Sequence, residues 1–112
     1  GKDWDYKLQG PVQTELYNRL RLRMHQFLDE EALDVVRGLE DDYNTVLGQT
    51  YREQLIFDLR KQVDKRIGYY LNHHSITPDN LNEVEQEIYE QTKTDVLEAL
   101  ERHLKQIKGG AS

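Results

Sequence analysis

The chain has no cysteine, which excludes disulfide staples and thiolate metal sites. Proline occurs only at positions 11 and 78, so long stretches contain nothing that must interrupt a helix. No apolar run exceeds two or three residues, far short of the roughly 20 that a membrane-crossing helix needs. A basic excess is also missing. The net charge is −6, which argues against nonspecific binding to nucleic acid. Catalytic signatures are absent too: there is no Gly-rich phosphate loop, no Gly-x-Ser-x-Gly and no His-Glu-x-x-His. No catalytic residue and no cofactor-binding residue is nominated, and an enzyme is not expected.

What is present is helical periodicity. From Val35 to Leu71 every fourth residue is large and apolar: Val35, Leu39, Tyr43, Leu47, Tyr51, Leu55, Leu59, Val63, Ile67 and Leu71. A helix turns once per ~3.6 residues, so a four-residue repeat drifts by about 40° per step. Either the helix breaks inside this run, or its stripe wraps to meet several neighbours. Gly48 and the box-like Thr50-Tyr51-Arg52-Glu53 favour a break, with Gly48 closing one helix and Thr50 capping the next.

Start and stop signals place helices near 11–28, 30–47, 51–73 and 78–108. Pro11 follows Gly10 at the first start. Asp29, Glu30 and Glu31 suit the positive end of the second. Thr77 can cap the fourth, with Pro78 at its first position and Ile76 stapling to Leu81. The predicted core stripes are Leu16, Leu20, Met24, Phe27 and Leu28; then Ala32, Val36, Leu39, Tyr43 and Val46. The third helix offers Leu55, Ile56, Leu59, Val63, Ile67, Tyr70 and Leu71. The fourth offers Leu81, Val84, Ile88, Thr92, Val96, Leu100, Leu104 and Ile107. The alternating Arg19–Met24 segment is read as helix because helical spacing continues on both sides. Gly68 would admit a close neighbour, and Gly38 could split the second helix.

The expected fold is therefore all-α: a mainly antiparallel four-helix bundle with a long C-terminal helix, or five helices if Gly38 breaks the second. The fourth helix, at ~1.5 Å per residue, would reach about 45 Å and overhang its partners, unless it breaks near Thr92–Asp95. Residues 1–10 are read as an N-terminal extension whose Trp4 and Tyr6 dock on the bundle. Residues 11–108 form one domain, and 109–112 a flexible tail or linker. The chain begins without Met, which suits a part of a larger protein.

Charge alternates along the chain. Residues 1–28 carry five basic and three acidic groups, 29–48 one and seven, 49–74 five and three, and 75–112 four and eight. Antiparallel neighbours with attracting faces would suit this pattern, although exposed pairs contribute only about 0–1 kcal/mol each.

The leading functional reading is a non-catalytic helical interaction or assembly module that binds a protein partner or a second copy of itself. Tyrosine is amphipathic and enriched at interfaces, so Tyr69, Tyr70 and Tyr89, with the outer half of the last helix, are the nominated partner surface. Ordinary core-edge packing is the plainer account of each. An alternative is a regulatory or nucleic-acid-binding domain using Arg19, Arg21, Arg23, Arg60, Lys61 and Lys65; it requires them on one face, against the plainer account of pairing with the acidic segment. A second alternative is a small-ligand or metal-binding bundle near His25, His73 and His74, with His103 expected at the other end. Yet no Glu-x-x-His is present, so no metal ligand is nominated. The Glu40-Asp41-Asp42 cluster lacks the spacing of a calcium loop. Glu83, Glu85, Glu87 and Glu90 read as a solvated face. A soluble setting follows, with a slight lean to the cytoplasm and no compartment fixed.

Overall fold

The computed structural model describes residues 10–42, 44 and 46–111, with side chains as far as Gln106. Four helices account for them: α1 (Gly10–Glu30), α2 (Ala32–Asp42), α3 (Gln49–Asn72) and α4 (Leu81–Ala111). No strand occurs among the described residues, and the all-α bundle expected from periodicity is what forms. Trp4, Tyr6, Tyr43 and the Ile107 side chain lie outside the described set.

Interhelical pairs fix the directions. Gln13 meets Leu71 and Arg21 meets Asp64, so α1 and α3 are antiparallel. Tyr70 meets Asp95 while His74 meets Glu87, so α3 and α4 are antiparallel as well. Arg23 reaches Glu85, and Lys93 lies above the Phe27 ring, so α1 and α4 run the same way. α2 packs on α1 and α4.

The core is the predicted stripe material. Leu16, Leu20, Met24, Phe27 and Leu28 are buried on α1, and Val84, Ile88, Thr92, Val96, Leu100 and Leu104 on α4. Burying each aliphatic side chain contributes about 1.5–3 kcal/mol. On α3 the buried apolar side chains form the strict four-residue series Leu55, Leu59, Val63, Ile67 and Leu71, and Gly68 is buried beside them. Four steps of ~40° turn it by about 160°. Its early members align with Arg66 and Tyr70, which face α4; its late members align with Arg60 and Asp64, which face α1. The stripe wraps because α3 serves two neighbours.

Several boundaries differ from the expected ones. α2 ends at Asp42, not near 47. Asn44 takes a left-handed φ of 51°, donating its N–H to the Asp41 carbonyl, which turns the chain out of the helix. Val46 is consequently 82% exposed instead of joining the α2 stripe, while Leu47 is buried from the loop. Gly48 does not close α2. It precedes α3 with φ −67° and no side-chain cap, and the Thr50–Glu53 box is not made: Glu53 accepts from Gln49. Gly38 stays within α2, so the count is four.

At the other loop, Asn80 displaces Thr77 as the cap of α4. Its Oδ1 accepts the Thr77 N–H at 2.7 Å, its Nδ2 donates to Ser75 at 2.8 Å, and its carbonyl accepts from Val84. Ile76 and Leu81 still pack on the core beside it. α4 does not break at Thr92–Asp95. It runs 31 residues, reaching Ala111 within the segment expected as a tail. Only Glu31 separates α1 from α2, so Asp29 and Glu30 belong to the end of α1 rather than the start of α2.

Candidate functional site: the α3–α4 groove

The seam between α3 and α4 opens into a groove of about 310 Å³. Leu59, Val63, Val96 and Ala99 form its floor, each 7% exposed or less. Small Ala99 leaves room that a longer side chain would fill. The Thr92 hydroxyl, also at the floor, donates to the Ile88 carbonyl at 2.7 Å and is thereby satisfied within its own helix. Lys65 and Arg66 from α3, and Asp95 and Arg102 from α4, supply the polar walls.

One pair of charges across the groove is already matched. The Asp95 carboxylate accepts the Tyr70 hydroxyl and lies 3.3 Å from Arg66. Burial first, and then the Asp95 hydrogen bond and charge, push the Tyr70 phenol up from 10.0 to about 12. Tyr70 is thus a neutral donor locking the seam.

The nominated tyrosines do not form one surface. Tyr69 contacts Tyr70 edge-on at 5.8 Å and stacks on His73 at 4.2 Å. Tyr89 faces α1, with the Arg23 guanidinium 3.8 Å above its ring and Lys93 at 5.0 Å. About 120° of helix arc separates Tyr89 from the Asp95 that Tyr70 meets. The chemistry of α4 sits between the tyrosines, not under them.

The basic face does not form either. Arg19 and Arg23 both grip Glu85 on α4, at 2.8 and 3.0 Å, whereas Arg21 pairs with Asp64 on α3 and Arg60 with Asp29 on α1. Lys61 rests 4.4 Å from the Phe57 ring, and Lys65 lies in the groove. Glu85, expected among solvated glutamates, is a half-buried clamp for two arginines. The histidines are also kept apart. His25 binds Asp64 at 2.8 Å near the middle of α3, while His73 and His74 sit at its end, toward the start of α1. His25 and the His73–His74 pair were expected at one end; antiparallel pairing places them about two turns of helix apart. Among the described residues no three His, Asp or Glu side chains gather as a cation site.

Two features escaped the sequence reading. Glu40 is 6% exposed, its carboxylate 2.9 Å from Arg52 and accepting the Leu47 N–H. Its signal was register: it follows Ala32 and Val36 at four-residue spacing. The other is Arg102, whose place in the groove no sequence motif marks.

Comparison with known proteins decides the family. A model of the spore germination protein GerPC matches residues 5–108. The chain belongs to the GerPC family. It is 30% identical to a probable GerPC of Bacillus cereus over 101 residues, covering 85% of this chain and 48% of that protein. A probable GerPC of Bacillus subtilis strain 168 is 35% identical over 60 residues, 54% of this chain and 29% of that protein. The chain therefore spans at most about half the length of these GerPC relatives. No solved structure matches significantly. No helix among the described residues is long and apolar enough to cross a membrane.

Proposed function

We propose that this chain is a non-catalytic helical interaction module of a spore germination protein, acting through helix-face contacts with another protein. The observation that carries the reading is the α3–α4 groove, an apolar floor with charged walls on a bundle whose arginines outside the groove are ion-paired. Grooves of that composition suit helix-in-groove recognition, where apolar anchors give affinity and charges set orientation. A nucleic-acid role gains nothing from arginines held in pairs by Glu85, Asp64 and Asp29.

The test places a tagged copy of the chain into the matching part of the Bacillus cereus relative and recovers it from cross-linked spores. A defined complex with another spore protein is expected. Recovery of the tagged protein only as an unlinked monomer, from spores that germinate normally, overturns the reading.

A further inference from the structure

The described part of the chain contains eight arginines, and seven of them are ion-paired: Arg19, Arg21, Arg23, Arg37, Arg52, Arg60 and Arg66. The exception among the described residues is Arg102, and it lines the α3–α4 groove. Lys65 lines the same groove from the opposite helix, again with no carboxylate within ion-pair distance among the described residues. The remaining anion of the groove, Asp95, is engaged by Tyr70 and Arg66. In a chain of net charge −6, two unmatched cations therefore converge on one apolar-floored slot.

From this we propose that the α3–α4 groove docks an acidic amphipathic helix of a partner protein, its carboxylates meeting Lys65 and Arg102 and an apolar side chain filling the space above Ala99. The proposal rests on the interaction-module reading and names the chemistry of the partner. The groove follows α4 from Thr92 to Arg102, about 15 Å at ~1.5 Å per residue. That length matches roughly three turns of a docked helix. A second copy of the chain fits poorly, because a two-fold contact through this face would set Lys65 and Arg102 against the same cations.

The experiment uses the whole 112-residue chain and two synthetic 18-residue helical peptides labelled with a fluorophore. Both peptides carry the same leucine stripe, with glutamate on the flanks in one and lysine in the other. Anisotropy titration should show the glutamate peptide binding and the lysine peptide failing to bind. The paired change Lys65→Glu and Arg102→Glu, at two exposed positions, should weaken the glutamate peptide by about tenfold or more. The same change should also raise the affinity of the lysine peptide. Ala99→Leu should weaken the glutamate peptide with charge intact, and circular dichroism checks that each variant remains helical.

Equal binding of the two peptides, no binding of either, or indifference to the charge reversal overturns the proposal. So does a concentration-dependent mass of the chain alone that the charge reversal abolishes, because the occupant is then a second copy. If the spore complex forms but ignores Lys65→Glu and Arg102→Glu, the groove assignment falls while the interaction reading stands.

Discussion

Glu40 ties the end of α2 to the beginning of α3 by accepting from both the Arg52 guanidinium and the Leu47 backbone N–H. One buried carboxylate thus holds the loop and two helices together. Glu40→Ala leaves Arg52 and Leu47 N–H without their acceptor and should cost about 2 kcal/mol. Glu40→Gln keeps a neutral acceptor and should cost about half as much. Urea unfolding followed by circular dichroism measures both; equal stability of Glu40→Ala and the parent chain would rule out the tether.

The Tyr70–Asp95 bond across the α3–α4 seam predicts a pH effect whose sign follows from the proton count. The fold favours the neutral phenol, so the unfolded chain loses this proton near pH 10 and the folded chain near 12. The stability it confers is complete below pH 10 and disappears as pH rises through 12. An ultraviolet titration should show a tyrosine step near pH 12, and Tyr70→Phe should remove it. At neutral pH the same substitution should cost about 1 kcal/mol, the worth of one hydrogen bond.

Gly38 stands exposed within α2, and a Cβ placed there meets nothing within 4 Å. Gly38→Ala should stabilise the chain by about 0.4–1 kcal/mol, largely by restricting the unfolded state. A higher thermal midpoint with unchanged helical content is the expected readout.

Asn44 turns the chain out of α2 at φ 51°, a conformation that β-branched residues resist. Asn44→Val should destabilise by about 1–2 kcal/mol, whereas Asn44→Gly should be near neutral. Denaturant midpoints of the two variants should therefore separate in that order.

The sequence made the α1 and α4 stripes legible because their apolar spacing is uninterrupted and one face is buried throughout. It misplaced the end of α2 because Leu47 is apolar and buried although it lies in a loop, so the period outlasts the helix. Thr50–Glu53 resembled a cap, but Gln49 competes for the Glu53 carboxylate one turn earlier. Thr77 lost to Asn80, whose amide both donates and accepts and can therefore brace both sides of the turn. The groove was the least legible part. Unmatched cations are defined only once every other pairing is known, and pairings such as Arg23 with Glu85 span 62 positions of chain.

The single residue between α1 and α2 leaves that joint without slack. One residue inserted at Glu31 would rotate α2 by about 100° about its axis, carrying Ala32, Val36 and Glu40 away from the core together. The connection at 73–80 is eight residues long and does not couple its two helices so directly. Variation in chain length is therefore better tolerated there, and the spacing from Leu28 to Val36 should stay fixed wherever this bundle is kept.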